Sequence, residues 1–64
     1  MNSRLIKRKE VQLKTSLSSA TIYRLVAAGK FPKQINVTKT SVAWSLQAVD
    51  DWIEQRIAES NKAA

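Results

Sequence analysis

The 64-residue chain contains neither cysteine nor histidine. The first absence excludes a disulfide staple and a thiolate metal site. The second removes the usual general base, the usual zinc ligand and the side chain that titrates near neutral pH. No nucleophile–base pair can be assembled from what is left, so the expectation is a non-enzyme with no cofactor and no metal. Long apolar runs are missing too, and nothing approaches the roughly 18 residues of a membrane span. Leu5-Ile6 runs straight into Lys7-Arg8-Lys9, which is not the layout of a signal peptide. The expected location is therefore the cytoplasm, with no membrane partner. A chain this short forms one domain, buries only about 60% of its unfolded surface and draws roughly 3–5 kcal/mol from its core.

Acidic residues are scarce in the first two thirds. Residues 1–43 carry nine bases (Arg4, Lys7, Arg8, Lys9, Lys14, Arg24, Lys30, Lys33, Lys39) and one acid, Glu10, for a net +8. Residues 44–64 carry Arg56 and Lys62 against Asp50, Asp51, Glu54 and Glu59, for a net −2. Solubility alone does not require this segregation. One cationic face and a neutral back are the layout of a nucleic-acid footprint.

What is present is organised around residues 17–29. Ser18 is a suitable N-cap and Gly29 a suitable residue just past a helix C-terminus. Between them Ile22, Leu25 and Val26 form one apolar stripe at helical spacing. The opposite face holds Ala20, Arg24 and Ala27, flanked by Thr21 and Tyr23. A preceding helix is expected over residues 8–15, with Val11 inward and Glu10 and Lys14 paired at i, i+4. Thr15-Ser16-Leu17 joins the two, with Leu17 plugging the angle between them, which is the sequence form of a helix-turn-helix. Such turns usually contain glycine. If the position of Ser16 needs a positive φ, serine there costs about 1 kcal/mol.

Arg4-Leu5-Ile6 is expected to be extended and to pair with a later strand. Pro32 stops any helix continuation and makes Phe31 extended, able to fold back onto Leu25. Gln34–Val37 and Val42–Trp44 alternate or run apolar as strands, giving a hairpin tipped by Lys39, a wing. Ser45 caps a last helix from residue 46 to about 60, with Leu46, Val49, Trp52, Ile53 and Ile57 on one face. The domain is thus expected over residues 4–60, with flexible tails at 1–3 and 61–64. The fold class is mainly α with a small β-hairpin, a winged helix-turn-helix in the order helix–turn–helix–hairpin–helix.

These residues, in this order, resemble the AlpA family of small prophage-associated regulators, within the wider group of excisionase and MerR-like winged-helix domains. The resemblance covers residues 4–57. It is carried by Leu17-Ser18-x-x-Thr21-Ile22-Tyr23-Arg24, then Gly29-x-Phe31-Pro32, then Ala43-Trp44. The departures are Ser16 where the family usually has glycine, and a hairpin loop without glycine. The resemblance implies a DNA-binding transcriptional regulator of phage or mobile-element genes, often acting on integrase expression or excision.

The expected partner is double-stranded DNA, with the chain on the nucleoid when bound and self-associating on its site. Arg24 suits the bidentate contact to guanine O6 and N7 in the major groove. Tyr23 suits a phosphate or a base, or else covers the helix edge as a half-buried ring. Ser19, Ala20 and Thr21 sit at a helix N-terminus, where small side chains and N–H groups approach phosphate or a thymine methyl. Lys9, Lys30, Lys33 and Lys39 are phosphate candidates, though each lysine alone is more often simply solvated. Trp44 and Trp52 are read as core rather than as stacking platforms. Asp50 and Asp51 point about 100° apart on a helix and are read as solvated or dipole charges, not as a metal site. Two alternatives stand beside this reading. One is an excisionase-like architectural role on the same surface. The other, of a different class, is a protein-docking module such as an anti-repressor that uses Trp52 or the last helix.

Overall fold

The computed structural model describes residues 4–63; residues 1–3 and 64, which belong to the expected tails, lie outside it. The chain runs β1 (Leu5–Ile6), α1 (Arg8–Thr15), α2 (Ser19–Ala27), β2 (Ile35–Asn36), β3 (Val42–Ser45) and α3 (Leu46–Ala63). The three strands form one antiparallel sheet in the order β1-β3-β2. This arrangement, mainly helical with a small sheet, is compatible with a winged helix-turn-helix.

α1 ends where Ser16 turns left-handed, at φ 63° and ψ 20°. Its N–H donates to the Gln12 carbonyl at 2.8 Å, which closes the last turn. The positive φ that the missing glycine would have eased is therefore present, and serine adopts it. Thr15 steadies the same corner. Its hydroxyl donates to the Val11 carbonyl at 2.7 Å and accepts from the Leu17 N–H at 3.3 Å. Leu17 is half-buried and packs against the core from inside the turn.

The core is small. Ile6, Val11, Ile22, Phe31, Trp44 and Val49 are buried, and Leu17, Leu25, Val26, Leu46, Trp52 and Ile53 pack against them. Every element except β2 contributes to it. β3 sits centrally because it is the middle strand, pairing Leu5 with Ser45 and Ile6 with Trp44 on one side, and Ile35 with Ala43 on the other. Burying side chains of this size stabilises by about 1.5–3 kcal/mol each, so so few of them make each one matter.

Several local expectations shift. The strand expected over 34–37 narrows to Ile35–Asn36. The wing closes without glycine because the Val37 and Thr38 N–H groups both donate to the Ser41 carbonyl, while the Thr38 hydroxyl accepts from the Thr40 N–H at 3.3 Å. Hydroxyl side chains fold turns in this way. Lys14 does not pair with Glu10; it reaches across to Asp50 of α3 at 3.2 Å, so Asp50 is not merely solvated. Phe31 is buried in the core against which Leu25 also packs, and it stands edge-on to Trp52, ring centroids 4.8 Å apart. Ser45 does cap α3, accepting from the Ala48 N–H at 3.1 Å. α3 continues to Ala63 rather than stopping near Ser60. Ile57 is 50% exposed because this part of the helix has outrun the body it packs on. Leu13, also on an expected helix, is 79% exposed, and Val11 alone anchors α1.

Candidate nucleic-acid interface

α2 is delimited by side-chain and backbone chemistry at both ends. Ser18 is extended (φ −75°, ψ 160°), and its hydroxyl accepts from the Thr21 N–H at 3.2 Å. At the other end Gly29 takes φ 73°. The Lys30 N–H then donates to the Leu25 carbonyl at 2.8 Å, and the Gly29 N–H donates to the Val26 carbonyl at 3.0 Å. This is the Schellman pattern, which satisfies carbonyls that a helix end otherwise leaves unpaired.

The helix presents two unlike faces. Ile22 is fully buried, and Leu25 and Val26 are half-buried against the core. Ala20, Tyr23, Arg24 and Ala27 are exposed, and Ser19 and Thr21 are half-buried. With alanine at 20 and 27, nothing on the outer face stands between the helix and a flat or grooved partner except Tyr23 and Arg24.

The hydroxyls of α2 form a short string. Ser18 Oγ donates to Thr21 Oγ1 at 2.9 Å, and Arg24 Nη2 donates to the same Thr21 oxygen at 3.3 Å. A guanidinium has five N–H donors, so one internal bond leaves a full edge for a bidentate acceptor. Tyr23 is 37% exposed, its ring tilted against Trp44 with centroids 6.2 Å apart. Its ring thus braces α2 on the sheet while part of the side chain stays accessible.

The cations divide into those in use and those not. Among the described residues, ion pairs join Lys14 to Asp50 and Arg56 to Glu59. None involves Arg24, Lys9, Lys30, Lys33 or Lys39, and all five are exposed. Lys9 lies in the first turn of α1, next to exposed Lys7 and Arg8. Three cations at the positive end of a helix dipole repel one another and the dipole, so nothing in the fold itself favours them there. Arg8 belongs to the same exposed cluster, which the run Lys7-Arg8-Lys9 marks in the sequence. Lys30 and Lys33 lie in the connector after α2. Lys39 stands apart, at the tip of the β2–β3 loop, and is tied to α2 only through β3, whose Trp44 meets Tyr23.

Two core tryptophans also make hydrogen bonds to the connector after α2. The Trp44 indole N–H donates to the Pro32 carbonyl at 3.0 Å, and the Trp52 indole N–H donates to the Lys30 carbonyl at 2.8 Å. For fully buried Trp44 the signal is chemical, since a buried indole N–H needs an acceptor; partly buried Trp52 gives no such signal.

Residues 4–57 match the family of the prophage CP4-57 regulatory protein (AlpA). The chain belongs to the AlpA family. An uncharacterized protein, ORF88 of Enterobacteria phage P4, is 38% identical over 55 residues, covering 86% of this chain. The matched stretch spans 62% of that phage protein's own length. The protein that gives the family its description is a prophage regulatory protein. No helix among the described residues is long and apolar enough to cross a membrane.

Proposed function

We propose that this AlpA-family chain is a sequence-specific regulator that binds duplex DNA with α2 in the major groove. Arg24 reads a guanine, and Ser19, Ala20, Thr21 and Tyr23 meet phosphates or base edges beside it. Lys9, Lys30, Lys33 and Lys39 neutralise flanking phosphates, Lys39 from the wing. The observation that carries this reading is the outer face of α2: two small residues, a braced tyrosine and an arginine with one internal hydrogen bond, in a chain whose exposed Lys9, Lys30, Lys33 and Lys39 make no ion pair among the described residues. A domain body that only needed solubility would have no use for that combination on one helix. A single module of this size makes a small interface, so occupancy by two or more copies on neighbouring sites belongs to the proposal.

The test is binding measured across a salt series, on a duplex selected by the chain from a random pool. About four neutralised phosphates, one per named lysine, give a log–log slope near −3 to −4. A flat response would remove the electrostatic account. An architectural role in recombination would use the same surface, and footprinting separates the two. One promoter-proximal site supports regulation, and phased sites beside an attachment site support architecture.

A further inference from the structure

We infer that Trp52 and Trp44 are positioning residues that hold Lys30 and Lys33 in fixed relation to α2 by gripping the backbone between them. The inference rests on the DNA-binding reading above and concerns how its phosphate contacts are set.

The connector from α2 to the sheet has three consecutive anchors. At Lys30 the N–H is bound to the end of α2, through the Leu25 carbonyl at 2.8 Å, while the carbonyl accepts from the Trp52 indole of α3 at 2.8 Å. At Phe31 the ring is buried and stands edge-on to Trp52, 4.8 Å between centroids. At Pro32 the carbonyl accepts from the Trp44 indole of β3 at 3.0 Å, and the proline ring limits φ. The two exposed lysines bracket this stretch. A loop of this kind, bordered by a glycine at φ 73°, would otherwise sample many conformations. Each would carry the ammonium groups to a different place.

Both indoles act on the backbone rather than on the lysine side chains. Neither indole needs to touch nucleic acid for this. Trp52 is only partly buried, so core packing alone does not require its N–H to be bonded. The bond links α3, the acidic element of the chain, to the basic connector. Trp44 does the same from the strand whose face also braces Tyr23. The C-terminal end of α2 and the backbone that carries the two lysines are thereby held as one rigid unit. Cations already in place when the duplex arrives lose less entropy on binding.

The discriminating variant is Trp52→Phe, which keeps an aromatic ring against Phe31 but removes the N–H. It is compared with Lys30→Ala/Lys33→Ala and with the triple variant, each titrated across a salt series with the selected duplex and checked for folding by circular dichroism. The expected result is a salt slope shallower by about 1–2 for Trp52→Phe, the loss of one or two phosphate contacts. Adding the lysine changes should then flatten it little further. Circular dichroism at each salt concentration gives the folded fraction, and binding constants corrected by it leave the slope unchanged for a merely stabilising tryptophan. Trp44→Phe, with the same readout, is the second variant. A wild-type slope in both tryptophan variants, with the lysine effects fully additive, would overturn the inference while leaving DNA binding intact. Absence of salt-dependent binding by the unaltered chain would overturn the DNA-binding reading itself.

Discussion

Arg24 lies one helical turn beyond Thr21, and its Nη2 donates to the Thr21 hydroxyl oxygen at 3.3 Å. That same oxygen accepts from Ser18, whose own oxygen caps the helix. The residue that starts α2 and the residue proposed to read a base are therefore joined by a single threonine hydroxyl. Long arginine side chains lose rotamer entropy when they bind, and a support that restricts them beforehand reduces that loss.

Thr21→Val tests the support. Valine keeps the branched shape and the backbone N–H that Ser18 caps, but offers no acceptor. Binding to the selected duplex is expected to weaken by about 0.5–1.5 kcal/mol, the usual net worth of one hydrogen bond. Random duplex should lose less than the selected site, and the melting temperature should hardly change. Fluorescence anisotropy with both duplexes measures it, and equal affinity for the selected site would leave Thr21 as a bystander.

Arg24→Ala tests the reader. The expected cost is about 1–3 kcal/mol on the selected site only. An equal loss on random duplex would demote Arg24 from base contact to phosphate contact.

Ser16→Gly tests the turn. Serine at φ 63° bears the Cβ strain of the left-handed region, about 1–2 kcal/mol. Glycine relieves that strain but gives the unfolded chain more freedom, which offsets part of the gain. The net expectation is a stabilisation of about 0.5–1 kcal/mol. For a domain of this size that is a rise of several degrees in Tm. A lower Tm in a calorimetric scan would mean that the serine side chain contributes something its geometry does not show.

A double-mutant cycle with Lys14→Met and Asp50→Asn tests the contact between α1 and α3. The two side chains are 34% and 47% exposed at 3.2 Å, so water screens them. A coupling energy of about 0.2–1 kcal/mol is expected, shrinking as salt is raised. Coupling that persists undiminished in 1 M salt would contradict a solvent-screened pair.

Much of the architecture could be read before any coordinates. The Ser18 and Ser45 caps, the stop at Gly29, the inward Ile22 stripe and the pairing of Leu5-Ile6 with a later strand all follow from relations between residues a few positions apart, or from strong strand patterning. The outward placement of Arg24 belongs to the same group, since helical periodicity puts it opposite Ile22 once the helix exists. Cap chemistry and periodicity are local, and local signals are written in consecutive residues.

Other features depend on how separate elements meet. Lys14 had a suitable partner one turn away in Glu10, yet it binds Asp50, because the packing of α1 and α3 brings that carboxylate within 3.2 Å. Ile57 continues an apolar stripe and is still half exposed, because α3 is longer than the surface it lies on. The carbonyls of Lys30 and Pro32 are met by two indoles that no spacing rule could have assigned to them. The chain by itself thus determined its elements, the capped ends of α2 and which face of α2 looks outward, because those are set within a helical turn or two. Only the tertiary structure decided which distant side chains satisfy which charges and carbonyls, because that choice depends on three-dimensional proximity created when the core closes.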